Sequence, residues 1–334
     1  MSTGWIGDPQ FAPGLPFGPQ TLPYGVVADG VAVRVGDHAL PLAALQLGDR
    51  LRPLVAAGSL DALLAAGRAA WTELRERLRD LVLAASAPPG ARLCPLAEVA
   101  PVLPFTVADY VDFYSSRHHA ENVGAILRPG SDPLPPNWTH LPIGYHGRAG
   151  TVVVSGTPVT RPSGQRQSAS GPVFGPTRRL DIEAEVGFVC GGPVSGRVPT
   201  SDAREHIFGV ALVNDWSARD IQAWEYHPLG PFLGKSFSTS IAAWITPLEA
   251  LEHARVPVVE PPHPRQDYLV EHEPWGLDLA LAVRLNSQPL SHPPFSVMSY
   301  SCAQQLAHMT VNGATVRPGD LFASGTVSGP GPDQ

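Results

Sequence analysis

The chain has 334 residues, 43 % of them hydrophobic and 16 % charged, which is enough apolar material for a large core and excludes disorder as a whole. A net charge of −7 with no cationic stripe argues against nucleic acid or another polyphosphate as partner. Cys94, Cys190 and Cys302 stand far apart without CxxC spacing, which argues against a disulfide framework or thiolate zinc centre and suits a reducing cytoplasm.

In chain order, "MSTGWIGDPQFAPG" lacks the basic and then apolar run of a secretory leader. No later stretch approaches the roughly 20 apolar residues of a membrane span. A soluble, unexported protein is therefore expected. In "YGVVADGVAVRVGDHALPL" (24–42), Val31, Val33 and Val35 alternate and Gly36 with Asp37 makes a turn, so a small β-rich module begins here. Ser59 then caps a helix in which Leu60, Leu63, Leu64, Trp71, Leu74, Leu78 and Leu81 recur at three- and four-residue steps, ended by Pro88, Pro89 and Gly90. A new domain is expected to begin near residue 100.

Beyond it the pattern turns to strands. "GTVVVSGTPV" (150–159), "LDIEAEVGFVC" (180–190), "FGVALVND" (208–215) and "GLDLALAVRLN" (276–286) are apolar runs of strand length bounded by Gly, Pro or Asn, and "SVMSYSCAQQLAHMT" (296–310) is the best helical pattern. The derived fold class is α+β, mainly β.

Polar residues crowd where a core would not want them. "DYVDFYSSRHHAENVGAILR" (109–128) holds Asp109, Asp112, Tyr114, Arg117, His118, His119 and Arg128, which reads either as a solvated helix start with ion pairs or as part of a site. In "RRLDIEAEVGF" (178–188), Asp181, Glu183 and Glu185 would share one strand face, either wetted or gathered round a cation. Asp215 favours the second reading, because it ends a run too apolar for an exposed edge, where a carboxylate needs a partner. Several carboxylates without cysteine make an all-oxygen site suited to Mg²⁺ or Ca²⁺. Lys235 lies in "YHPLGPFLGKSFST" beside Phe232, Leu233 and Phe237, which suggests partial burial next to an anion and a role with a developing oxyanion or enolate.

Together, "DYVDFYSSRHHAENVG", "PNWTHLPIGYHGRAGTVVVSGTP", "LDIEAEVGF", "NDWSARDIQAWEYHPLGPFLGKSF" and "VNGATVRPGDLFASGTVSGP" resemble the fumarylacetoacetase family, and "LPYGVV" with "VAVRVGDHALPL" resembles the start of its amino-terminal domain. The resemblance implies a small SH3-like β-barrel domain with a helix over residues 1–104, followed over residues 105–334 by a metal-dependent catalytic domain built as a mixed β-sandwich roll. It implies hydrolysis of 4-fumarylacetoacetate to fumarate and acetoacetate, the last step of tyrosine and phenylalanine breakdown, by a cytoplasmic homodimer. Carried over, Asp112, Glu183, Glu185 and Asp215 bind Mg²⁺ or Ca²⁺. A second description of the cation site adds Lys235 and Thr239, of which a protonated lysine reads better as a neighbour. His119 falls on the catalytic histidine and activates water, helped by Lys235 and Gln222. Tyr114, Arg128, Tyr145, Gln222, Tyr226 and Thr326 fall on substrate-contacting positions. Asp181 is left outside the metal shell, paired with Arg178, Arg179 or solvent. The family's chains continue past "SGTVSGP" with a glutamate that orients the histidine, so the catalytic domain is expected to be incomplete at its carboxyl end. The rival readings are a related oxo-acid hydrolase or decarboxylase and a catalytically silent metal-stabilised β protein.

Overall fold

The computed structural model describes Trp5 and residues 17–334. The leaderless reading of the amino terminus lies, apart from Trp5, outside the described residues. Strands Tyr24–Val27, Gly30–Val35 and His38–Pro41 run antiparallel, and the two-residue strand Cys94–Pro95 completes a four-stranded sheet. Val31, Val33 and Val35 enter the main core as their alternation predicts, while Ala32 and Ala39 on the other face meet Leu96, Val99 and Trp244. Small residues on that second face let it be covered too.

The periodic run from Leu60 to Leu81 does not form one helix. It forms two, Asp61–Ala66 and Arg68–Leu83, because Gly67 takes φ +80°, outside the α region. The longer helix turns Trp71 edge-on to Phe208 at 5.3 Å, and Phe208 meets Tyr24 at 5.5 Å. These buried rings contribute roughly 1.5–3 kcal/mol each and tie the amino-terminal elements to the long strand Ile207–Asp215.

That strand lies in an eight-stranded sheet ordered Gly144–His146, Asp109–Phe113, Asp320–Ala323, Ala184–Cys190, Ile207–Asp215, Thr239–Ile241 and Val152–Val154, with Thr246–Pro247 also paired to Ile207–Asp215. Asp109–Phe113 runs parallel to Asp320–Ala323, and Thr239–Ile241 to Val152–Val154; the other pairs are antiparallel. Tyr110, Val189, Ala211, Val213 and Leu321 on one face share a core with the amino-terminal segment. Val111, Phe113, Val186, Phe188 and Phe322 on the other pack beneath helix Cys302–Thr310. Two sequence-predicted strands are interrupted. "LDIEAEVGFVC" begins as a separate strand, Leu180–Asp181, paired with Ser217–Ala218. "GLDLALAVRLN" yields only Gly276–Leu277 and Val283–Leu285, since its middle lies beside "HPPF", where Ala280 bridges Pro294 and proline cannot donate to a ladder. Among the described residues no helix is long and apolar enough to cross a membrane.

The expected helix at 296–310 starts at Cys302, where Ser301 makes a capping box: its hydroxyl accepts from Gln304 N at 3.1 Å and Gln304 Oε1 accepts from Ser301 N at 3.2 Å. The same hydroxyl donates to Glu271. Burial pushes the Glu271 carboxyl up to about 7, against the pull of Ser301 and Arg265. A carboxyl raised in the folded state binds its proton more tightly there, so its stabilising contribution is full below about pH 4.5 and fades as pH rises through about 7. Urea midpoints measured across that window should fall more steeply for the native protein than for Glu271→Gln. Equal slopes would assign the titration to another group.

Candidate functional site

Four carboxylates converge on the sheet face that also carries Tyr110, Val189 and Val213. Asp112 comes from Asp109–Phe113, Glu185 from Ala184–Cys190 and Asp215 from the end of Ile207–Asp215; Glu183 sits in the break just before Ala184. Strand alternation turns Asp112 away from Asp109, which stands half exposed near Arg317, so the two aspartates of that stretch have separate surroundings. One oxygen of each of the four acids lies within 4.8 Å of the others, and all four are buried. The sheet curls, because Asp112 and Asp215 are on strands that are not neighbours and are still bridged by one hydroxyl. Tyr145 donates towards Asp112 Oδ2 at 2.9 Å and Asp215 Oδ2 at 3.0 Å.

Two cations partly neutralise the ring. Lys235 Nζ stands 2.6 Å from Asp215 Oδ2 and 2.7 Å from Glu183 Oε2. Arg219 Nη1 stands 2.6 Å from Glu183 Oε1, and its Nε 2.8 Å from Asp181 Oδ2. Asp181 therefore pairs with Arg219, which corrects the expectation of Arg178 or Arg179, while its half-exposed carboxylate also meets solvent as expected; the strand break at Ile182 and Glu183 turns Asp181 out of the ring. Thr239 donates to Asp215 Oδ1 at 3.1 Å. Burial alone would raise Glu183, but Lys235 and Arg219 hold it well below the usual carboxylate range. Burial would lower Lys235, yet Asp215 and Glu183 hold it above its ordinary value, so it is an ammonium without a lone pair for a metal.

Asp112 and Glu185 touch neither cation. Both Glu185 oxygens and Asp112 Oδ1 are buried without a hydrogen-bond partner. Burial, reinforced by Asp215 for Asp112 and by Asp112 and Glu183 for Glu185, pushes both carboxyls well above their normal range. Neither cation compensates Asp112 or Glu185, and the orphaned oxygens belong to these two acids. The residues thus fit one divalent cation held by hard oxygen donors.

His119 lies in the first turn of helix Arg117–Leu127, where Ser116 Oγ accepts its amide at 3.3 Å. Its Nε2 is 3.9 Å from Glu183 Oε1, and burial lowers the imidazole to about 4, so the ring is neutral near pH 7. Arg117, by contrast, pairs with Glu121 at 2.8 Å on the surface, so the helix start is in part the solvated one. Tyr114 meets the His119 ring edge-on at 5.6 Å, and burial lifts its phenol to about 12. Gln222 accepts from Arg219 Nη1 at 3.2 Å, Arg128 donates to Pro133 O at 2.6 Å, and Tyr226 leans on His227 at 4.0 Å. Thr326 Oγ1 is buried without a partner just after the Asp320–Ala323 strand. Asp112, Glu183, Glu185, Asp215, Tyr145, Lys235, Thr239 and His119 are therefore gathered together, joined by Tyr114 and Gln222; among the described residues no side-chain hydrogen bond links Arg128, Tyr226 or Thr326 to them, and Tyr226 is tied to Gln222 through its backbone amide alone. A cavity of about 110 Å³ lined by Tyr110, Tyr145, Arg148, Phe232, Lys235 and Thr239 reaches the ring.

Sequence reasoning missed Arg219, although it follows Asp215 by four residues in "NDWSARD". The signal was charge balance: four buried acids with one lysine call for another cation.

Residues 109–334 match the family described as fumarylacetoacetate hydrolase C-terminal, and residues 20–104 the family described as fumarylacetoacetase N-terminal. Fumarylacetoacetase of Homo sapiens is 42 % identical over 346 residues, covering 93 % of this chain and 81 % of the human one. That of Caenorhabditis elegans is 44 % identical over 343 residues, covering 93 % and 82 %. Among solved structures, a fumarylacetoacetate hydrolase from Exiguobacterium antarcticum is similar with a TM-score of 0.57 at 17 % identity, covering 92 % of this chain and 86 % of that one. A maleylpyruvate hydrolase from Sphingobium, in complex with manganese(II) and pyruvate, is similar with a TM-score of 0.55 at 15 % identity, covering 92 % and 89 %. These two likenesses concern the fold.

Calorimetric titration with Mg²⁺, Ca²⁺ and Mn²⁺ separates the acids. Tyr145→Phe should weaken cation binding about 10–100-fold, as expected when a supporting partner is lost, and Glu185→Gln at least as much. Asp181→Asn should cost far less. Equal losses from Asp181→Asn and Glu185→Gln would show that Asp181 belongs to the ring.

Proposed function

The chain belongs to the fumarylacetoacetase family and hydrolyses the carbon–carbon bond of 4-fumarylacetoacetate to fumarate and acetoacetate (EC 3.7.1.2), and from that premise we propose which side chains carry the reaction. Asp112, Glu183, Glu185 and Asp215 hold Mg²⁺ or Ca²⁺, with Thr239 against Asp215 and Lys235 beside the site. When bound, such a cation polarises a coordinated carbonyl oxygen and neutralises the enolate that leaves. The observation that carries this reading is that Asp112 and Glu185 meet neither cation, and that Asp112 Oδ1 and both Glu185 oxygens are buried without a hydrogen-bond partner.

His119, held neutral by burial, takes a proton from water at a ring nitrogen, so that the hydroxide oxygen bonds to the carbonyl carbon of the fumaryl group, which becomes the new carboxylate of fumarate. The carbon–carbon bond to the acetoacetate methylene then breaks, its electron pair passes to the departing enolate, and a proton returned there completes acetoacetate. Lys235 and Gln222 donate to the developing anionic oxygen, with Arg219 keeping Gln222 and Glu183 in place. Arg128, Tyr114, Tyr145, Tyr226 and Thr326 hold the substrate's carboxylate and oxygen atoms; the unpartnered Thr326 hydroxyl supports such a contact.

The reading extends to two domains, residues 1–104 and 105–334, the first a small SH3-like barrel supported by its four-stranded antiparallel sheet. It extends also to a cytoplasmic homodimer. Three free, buried cysteines support the compartment, and the family resemblance supports the dimer.

Loss of the substrate's ultraviolet absorbance, followed with and without EDTA, tests the scheme. Turnover should need the divalent cation, and His119→Ala should keep cation binding while losing about 10²–10⁴-fold in kcat. Retained activity in His119→Ala would remove that residue from its role, and EDTA-insensitive turnover would remove the cation.

A further inference from the structure

Lys235 reaches the carboxylates from the loop between helix Arg219–Glu225 and strand Thr239–Ile241, and a loop free to shift would carry the ammonium off its partners. Little packing holds it: Leu229, Phe232 and Leu233 are 95 %, 64 % and 47 % exposed. What holds it is one carboxylate. Glu225 Oε1 accepts the backbone N–H of Phe232 at 2.9 Å and that of Gly234 at 2.7 Å. The Gly234 carbonyl accepts from Ala218 N at 2.8 Å, and the amides of Lys235 and Ser236 both return to the Phe232 carbonyl at 3.1 and 2.8 Å. Gly234 presses so close to the helix that a Cβ there would stand 2.8 Å from the backbone nitrogen of Gln222. The residue before Lys235 is thus fixed on both sides, by Glu225 through its amide and by Ala218 through its carbonyl. Hydrogen bonds to an ionised acceptor are roughly twice as strong as neutral ones.

We propose that Glu225 is a positioning residue for the reaction, its carboxylate fixing the Phe232–Gly234 turn and so setting where Lys235 Nζ stands between Asp215 and Glu183. The proposal rests on the role given to Lys235 above. Glu225 is hydrogen-bonded to none of the four acids and does not itself line the cavity, which it meets only through the Phe232 amide of the loop, so it acts through the loop.

Steady-state kinetics on Glu225→Ala, Glu225→Asp, Glu225→Gln, Lys235→Met and the Glu225→Ala/Lys235→Met double variant test it, with urea midpoints measured alongside. Glu225→Ala and the shorter Glu225→Asp should lower kcat about 10–100-fold with KM little changed, the size expected when a reacting group is misplaced by about 1 Å. Glu225→Gln, whose amide oxygen accepts the same two N–H groups, should stay within about 3-fold of the native kcat. In the double variant Glu225→Ala should add nothing to the loss from Lys235→Met, because both act through one ammonium. Native kcat in Glu225→Ala beside a collapsed Lys235→Met, or losses that multiply in the double variant, would overturn the proposal and leave the role of Lys235 intact. Native kcat in Lys235→Met would instead remove the role of Lys235, and this proposal with it. Should Glu225→Ala fail to fold, the other pair decides: an active Gln variant beside an impaired Asp variant supports the pinned turn, and the reverse order overturns it.

Discussion

Crowding four acids into a water-excluded ring is the constraint from which the rest of the site follows. A buried carboxylate without a partner costs several kcal/mol, and four together repel one another as well. Such a ring persists only where the surroundings supply compensating charge or let the acids stay protonated. Lys235 and Arg219 supply compensation for Glu183 and Asp215, which are held on the side from which those two cations arrive. Asp112 and Glu185 are left to the second course. Glu183 and Asp215 thereby meet cations that the protein supplies, whereas Asp112 and Glu185 do not.

Burial also acts on the neighbouring imidazole. The environment that lifts Asp112 and Glu185 lowers His119, because desolvation penalises whichever form is charged. Each group is thereby biased towards its neutral form, the acids by holding a proton more tightly and the imidazole by holding one less tightly. One buried pocket thus acts on both kinds of group at once, in the direction that the proposed reaction requires of each. The amino-terminal segment contributes indirectly, since Trp71, Phe208 and Tyr24 seal the sheet face whose far end carries the ring.

Much of this was legible in the sequence, for reasons that can be given residue by residue. Val31, Val33 and Val35 announced a strand because burial on one face follows the period of two, and Asp215 announced a site because an acid ending a long apolar run has nowhere wet to go. Gly67 was harder to read, since a glycine within a leucine-rich periodic run is compatible with both a continuous and a broken helix until φ is known. The strand break at Glu183 was hidden by perfect alternation, and with it the fate of Asp181. Arg219 escaped notice because its partners, Asp181 and Glu183, are more than thirty residues away in the chain and come within reach only through the pairing of Leu180–Asp181 with Ser217–Ala218. The Glu225 clamp is made of backbone amides, which carry no signature in a list of side chains.

Tyr145 sits across from Asp112 on Gly144–His146, a three-residue strand at the margin of the sheet. Marginal strands of this length are among the first parts of a protein to open, long before the core gives way. The hydroxyl that joins Asp112 to Asp215 is therefore mounted on one of the least durable pieces of the framework. Heat tolerance of the catalyst and heat tolerance of the fold then become separate properties. Warming would withdraw the bridging hydroxyl from Asp112 and Asp215 while the aromatic core was still intact, and recovery on cooling would require the re-pairing of one short edge.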